Sequence, residues 1–348
     1  MQSVHVNGKW LSQSLTGTQR YASEITLAIA EAAEVDLILH LPNDAPLPDW
    51  TNLPRLEIRR APLRGVLFEQ VYLPWATRGE MLLNFAGPAP LLKKRQLVTM
   101  HDATPFRYPR TFRKSFVAFY FVMYFVLARS ARKLATVSSF SARELADVLG
   151  IPADRFIIAG CAADSLARVD PKKPDMAVPI DPYIVVGTLA KHKNVSRPVD
   201  AITASGRRVV VVGTAGSVHV FAPASSSAQT ATIAGRLTDA ELVWLYRNSR
   251  ALVIPSRYEG FGLPVLEAQS LCCPVVSSNA ASLPEVGGDA AIYFPPDDVT
   301  HLLSALDSLE RDDRLTADLR RRGTRNAQRY TWKQSADSIL RCVLAELR

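Results

Sequence analysis

Residues 169 to 182 hold four prolines and show no apolar period, which divides the chain into two halves that must fold separately. We place a linker at 171–182, with domains over 1–170 and 183–330 and a terminal helix over 331–348. The first half reads as strands at Ser3–Asn7, Val35–Leu39, Met81–Phe85, Gln96–Met100 and Lys133–Ser138. A helix follows Gly17, and another starts near Ser139, with the Ser141–Glu144 spacing of a capping box. The second half repeats the alternation: strands at Tyr183–Gly187, Arg208–Gly213, Thr230–Ala234, Ala251–Pro255 and Pro274–Ser277, with helices over 196–204, 239–248 and 263–271. Such alternation implies an α/β architecture of two parallel-sheet, Rossmann-like domains, with ligand bound in a cleft between them. A length of 348 residues suits two domains of ordinary size.

Charge is uneven. Arg55 to Lys133 holds 15 Lys and Arg against 4 Asp and Glu, whereas the rest of the chain is slightly acidic. A basic region of this kind suits an acidic ligand, an anionic membrane surface or nucleic acid. No helix-turn-helix, zinc-finger or RNA-binding motif accompanies it, so nucleic acid is set aside. Within it lies the apolar run Phe116–Ala128, bounded by Arg113 and Lys114 on one side and Arg129, Arg132 and Lys133 on the other. Thirteen residues are too few to span a bilayer, which needs about 20. A buried core helix and a helix lying on a membrane surface both fit.

The first residues lack a basic run followed by an apolar stretch, so the expected location is the cytoplasm. Cys161, Cys272, Cys273 and Cys342 form no regular framework and read as buried thiols. The six histidines show no metal-ligand spacing and no Asp-x-Asp pair occurs, so neither a metal nor another cofactor is expected. Neither a Gly-x-Gly-x-x-Gly turn nor a phosphate-binding Gly-x-x-x-x-Gly-Lys-Ser/Thr loop is found.

The most informative stretch is Glu259-Gly-Phe-Gly-Leu-Pro-Val-Leu-Glu267. It puts a carboxylate in the loop after a strand, then two glycines, then Pro264 in the first helical turn, where a missing N–H costs nothing. A second carboxylate sits inside the helix. Amides from Gly260 through Leu263 can meet hydroxyls or a phosphate at the positive end of the helix dipole. Two carboxylates beside a diphosphate would repel it, so Glu259 and Glu267 suit hydroxyl groups better.

With Gly235-Arg-Leu-Thr-Asp239, Leu245-Tyr-Arg-Asn-Ser249, Cys273-Pro-Val-Val-Ser277 and Ser282-Leu-Pro-Glu-Val-Gly-Gly-Asp-Ala290, this stretch resembles the family-four glycosyltransferases of GT-B fold, a mannosyltransferase-like group. Fainter matches run through Gly17-Thr-Gln-Arg20, His101-Asp102 and Val186–Asn194. The resemblance implies a retaining, metal-independent hexosyltransferase that takes a nucleotide-sugar. It further implies an acceptor-binding first domain and a last helix that crosses back to it. Glu259 would contact the donor sugar, and the amides of Gly260, Phe261, Gly262 and Leu263 its hydroxyls and phosphate. Glu267 would hold the ribose diol and Lys193 the diphosphate. Gly17 would face the diphosphate from the first domain, Arg236 and Leu237 would lie along the base, and His101 would sit under the sugar.

Thr188 and His192 precede Lys193 where many relatives carry an Arg, leaving Arg257, Arg236 or Arg20 to supply the missing charge. The resemblance favours GDP-mannose as donor, ahead of UDP-sugars. Together with the basic region it favours a glycan acceptor, lipid-linked and presented at the inner membrane face, in cell-surface polysaccharide or lipopolysaccharide synthesis. A sugar phosphorylase or epimerase, or a non-catalytic nucleotide-sugar-binding protein, are the rival readings.

Overall fold

The computed structural model describes residues 3–14, 16–213 and 231–347. Thr230, the expected start of one strand, lies outside them. The chain forms two compact units, Met1–Cys161 with Trp332–Arg348, and Ala162–Thr331. The proline-rich stretch belongs to the second, where the Lys172 amide donates to the Ala240 carbonyl at 3.0 Å.

Among the described residues of the first unit seven parallel strands, β1 (Ser3–Asn7), β2 (Asp36–Leu41), β3 (Leu56–Arg60), β4 (Met81–Asn84), β5 (Gln96–Thr99), β6 (Lys133–Thr136) and β7 (Phe156–Ile158), lie in the order β3-β2-β1-β4-β5-β6-β7. The order reverses between β1 and β4, where open α/β sheets take ligands at the carboxyl ends of their strands. Asn7 and Asn84, which end these two strands, are buried, and Asn7 Nδ2 donates to Asn84 Oδ1 at 3.0 Å. Burial keeps the middles of β2, β4 and β5 apolar, at Leu37–Leu39, Met81–Leu83 and Leu97–Val98, between buried polar groups such as His5, His40 and Gln96. The terminal helix Trp332–Leu347 packs on the helix Gly17–Ala32, and Ser335 Oγ donates to the Gly160 carbonyl at 2.7 Å. Two local readings are corrected. The helix Ser139–Leu149 is capped by Ser138, whose Oγ accepts the Ser141 amide at 3.0 Å; Glu144 pairs with Arg107 instead. Cys272 is exposed, so the thiols are not uniformly buried.

A buried histidine pair carries a pH consequence. His5 Nδ1 lies 2.8 Å from His40 Nε2, and His40 Nδ1 lies 3.2 Å from the Tyr72 hydroxyl. Burial lowers both pKa values, that of His40 to about 3. Because the unfolded chain takes these protons near pH 6.5 and the folded chain does not, stability is full above 6.5 and falls as pH drops toward 3. Urea midpoints should decline from pH 7 to pH 5, and His40→Gln, which cannot titrate, should flatten that decline.

Among its described residues the second unit holds six parallel strands, β8 (Tyr183–Val186), β9 (Val209–Val212), β10 (Thr232–Gly235), β11 (Ala251–Ile254), β12 (Val275–Ser278) and β13 (Ile292–Phe294), in the order β10-β9-β8-β11-β12-β13. Val185, Val211, Val253, Val276 and Phe294 form its core with Leu302 and Leu306 of the helix Val299–Arg311. Thr238 and Glu241 make a reciprocal capping box on the helix Asp239–Arg247. The reversal falls between β8 and β11, and both strands lead directly into the candidate site.

Candidate active site

The loop after β11 is an elbow held by hydroxyl groups. Ser278 Oγ donates to the Ser256 carbonyl at 2.5 Å. The buried Ser282 hydroxyl lies 2.8 Å from the carbonyls of both Glu259 and Phe261. Gly262 then turns the chain into the helix Leu263–Ser270 at φ 100°, a conformation that disfavours any side chain. A Cβ there would also stand 2.8 Å from Leu283 Cδ2. With Pro264 in the first turn, the helix opens with amides that have no helical carbonyl ahead of them. The Phe261 ring packs edge-on against Tyr330 at 5.9 Å, which fixes the outer side of the elbow.

Lys193 reaches this elbow from the turn after β8. Its Nζ donates to the two carboxylate oxygens of Glu259 at 2.7 and 2.8 Å, and Ser256 Oγ donates to one of them at 2.8 Å. The turn is fixed by Asn194, at φ 52°, whose side chain donates to the carbonyls of Pro255 at 3.1 Å and Pro296 at 2.7 Å. The Arg257 amide ties the two loops further, donating to the His192 carbonyl at 2.8 Å. Arg257 itself does not supply a free charge, because its guanidinium is committed to Asp297 and the Lys191 carbonyl.

Glu267, on the same helical face as Leu263, is 6% exposed, and its carboxylate accepts the hydroxyl of the fully buried Tyr246 at 3.0 Å. Gly187, Gly213 and Gly235 stand side by side at the carboxyl ends of β8, β9 and β10. The Gly187 amide donates to the Val212 carbonyl at 2.9 Å, and that of Gly213 to the Gly235 carbonyl at 2.7 Å. Arg236 and Leu237 continue from this rim, with Arg236 exposed. Lys193, Glu259 and the elbow amides are thus brought together on one unit, with Arg236 and Leu237 leaving from the end of β10. Among the described residues no cluster of His, Cys, Asp and Glu could hold a metal ion.

His101 and Gly17 belong to the first unit. His101 follows β5, with Nε2 2.8 Å from the Phe85 carbonyl, which only accepts hydrogen bonds. Nε2 therefore carries the proton. Burial lowers the pKa, so the ring is neutral at pH 7 and Nδ1 keeps its lone pair as an acceptor. The Tyr21 ring meets it edge-on at 4.9 Å, while the Tyr21 hydroxyl donates to the Ala159 carbonyl at 3.1 Å. Gly17 is the first residue of its helix, and a Cβ added there would meet nothing within 4 Å. Neither packing nor backbone angle demands glycine at this position. Gly17→Ala should therefore leave the thermal midpoint unchanged or slightly raised. If the donor diphosphate approaches this backbone, the same variant should raise KM in a transfer assay.

Sequence reasoning did not single out Ser256, Ser282, Asn194 or Tyr246, which hold the site residues in place. Their signal lies in hydroxyl and amide side chains beside loop carbonyls, and only the folded loop reveals those pairings.

These arrangements coincide with similarity to known proteins. The family described as Glycosyl transferases group 1 matches residues 181–329, nearly the whole of the second unit. The second unit thus matches the group 1 glycosyltransferase model, and the chain carries the two Rossmann-like units of the GT-B fold. It is 28% identical to an O-antigen chain mannosyltransferase B of Escherichia coli, over 92% of this chain and 93% of that one. It is 25% identical to the O-antigen chain mannosyltransferase RfbU of Salmonella typhimurium, over 88% and 90% respectively. Among solved structures, sucrose-phosphate synthase from Thermosynechococcus elongatus aligns with 99% of this chain and all of its own, at a TM-score of 0.73 and 18% identity.

Proposed function

We propose that this chain transfers mannose from GDP-mannose to a lipid-linked glycan during assembly of lipopolysaccharide O-antigen. We read it as a retaining, metal-independent enzyme that works as a peripheral protein at the inner membrane face. The observation that carries the reading is the Lys193–Glu259 pair at the head of the Leu263–Ser270 helix, in a chain similar along most of its length to mannosyltransferases of O-antigen synthesis.

The pair answers the charge problem of a carboxylate beside a diphosphate. Lys193 neutralises Glu259, and of the three N–H donors of its ammonium the pair engages two, leaving one for a phosphate oxygen. In the reaction the bond between sugar C1 and the β-phosphate oxygen breaks, and the acceptor oxygen bonds to C1 on the same face. The acceptor proton passes to the departing phosphate oxygen, so no side-chain nucleophile is needed. Lys193 and the helix-start amides stabilise the charge that develops on the nucleoside diphosphate. Glu259 holds donor-sugar hydroxyls, and Glu267, oriented by Tyr246, takes the ribose diol. We assign the acceptor to the first unit.

Purified protein should transfer mannose from GDP-mannose to a lipid-linked saccharide acceptor, with the anomeric configuration of the donor retained in the product by NMR and no loss of rate in EDTA. Inversion would overturn the mechanism, preference for a UDP-sugar the donor, and absence of turnover with every nucleotide-sugar the enzymatic reading.

A further inference from the structure

We infer that the outer face of the helix Lys114–Ser130 seats this chain on a leaflet of anionic lipid. Between Lys114 and Arg129 the helix carries no charged residue. It buries Met123, Tyr124, Leu127 and Ala128 against the first unit's core. Away from these residues Phe119, Phe121, Val122, Phe125 and Val126 remain 36–59% exposed, and Phe116, two turns ahead of Met123, is 37% exposed at the head of the helix. A helix on the surface of a water-soluble domain normally turns charged and polar residues outward, and this one turns phenylalanine and valine. The feature is regional. Of the 14 large apolar side chains exposed among the described residues, 11 lie between Val66 and Val126, inside the segment that carries the chain's excess of positive charge.

Three observations select lipid over another partner. Arg110, Arg113 and Lys114 stand exposed at the head of the helix, and none forms an ion pair with a described residue. At its tail the Arg129 guanidinium lies 3.5 Å from the Phe125 ring centroid. Cations at both ends of an apolar face suit headgroup phosphates above acyl chains. Second, a cavity of about 530 Å³ opens beside the helix, lined by Phe106, Pro109, Val117, Ala118, Phe121 and Val148, with Lys114 as its one charged liner. Apolar walls beside a single ammonium suit the acyl chain and phosphate of a phospholipid. Third, a second copy docking by this face would press two strongly basic regions together, whereas an anionic leaflet neutralises one.

No described helix is long and apolar enough to cross a membrane, so the helix lies in the plane of the interface. This deepens the proposed function, on which it rests for a reason to meet lipid at all. Vesicle binding needs neither donor nor acceptor, so either reading can fail without the other.

The test is co-sedimentation of the full chain with vesicles of phosphatidylglycerol and phosphatidylethanolamine, compared with phosphatidylcholine alone. The chain should bind the anionic vesicles, release them in high salt and bind neutral ones weakly. The double variant Phe119→Asp, Val122→Asp should lose at least about tenfold in partition, with an unchanged thermal midpoint because both side chains already face water. Arg113→Glu with Lys114→Glu should abolish the preference for anionic lipid, and it decides alone if the aspartates impair folding. The inference is overturned if the native chain ignores anionic vesicles, or if the folded variants bind them equally. It is also overturned if the native chain sediments as a dimer that the aspartates dissociate.

Discussion

Replacing Lys193 with alanine should lower kcat by roughly two to three orders of magnitude, the cost of removing one preorganised donor from a developing anion. Lys193 is about a quarter exposed and its turn is held by Asn194, so the variant should fold and its thermal midpoint should move little. The loss has two sources. With the donor placed as proposed, the ammonium no longer meets the diphosphate, and the Glu259 carboxylate with which Lys193 pairs is left facing the same anion. Glu259→Gln removes that second charge while keeping an oxygen for Ser256 Oγ. Combining it with Lys193→Ala should therefore cost less than the two single losses added together. A double-mutant cycle on kcat and KM measures this coupling. Strict additivity would show that the two side chains act apart and would separate the ion pair from the chemistry.

The parts of this site that were legible in the sequence are those built on strong local grammar. Apolar runs with β-branched residues located β8, β9 and β11, and Pro264 after Gly262 located the start of the helix that carries Glu267. Of the four edge strands only β10 was legible. β3, Leu-Glu-Ile-Arg-Arg, is half charged because it pairs on one side only, and β7 and β13 are three residues each, too short to show a period. The cap on the Ser139–Leu149 helix was misplaced because Ser138, Ser139 and Ser141 offer several candidate caps, and only the extended backbone of Ser138 satisfies the geometry. The apolar run at 116–128 is a different case. Its composition fits a core helix, and which half of it meets the core is decided by the strands and helices packed beneath, which the run does not encode. The Lys193–Glu259 pair spans 66 residues of sequence, and no local pattern announces it.

Gly262→Ala is expected to destabilise the second unit strongly, and its comparison with Gly17→Ala separates two roles a glycine can hold, a forced turn and an open approach. At Gly262 the backbone sits at φ 100°, and a methyl would stand 2.8 Å from Leu283 Cδ2 beneath the elbow. Holding a non-glycine residue in a sparsely populated region costs of order 1–3 kcal/mol, and forcing a methyl into packed surroundings adds about 1–3 kcal/mol. The Leu283 methyl is the end of a flexible side chain and can yield, so a total of about 2–4 kcal/mol is expected. A urea midpoint well below that of the native chain would register it. Activity should fall in the same variant even where the fold persists, because the turn that aims the Phe261 and Leu263 amides must open to relieve the clash. Gly17→Ala, with open space around the added methyl, should do the reverse, keeping stability while weakening donor affinity. Should Gly262→Ala fold with native stability, the elbow would be pliant, and the case for a fixed anion-binding helix start at Leu263 would fail with it.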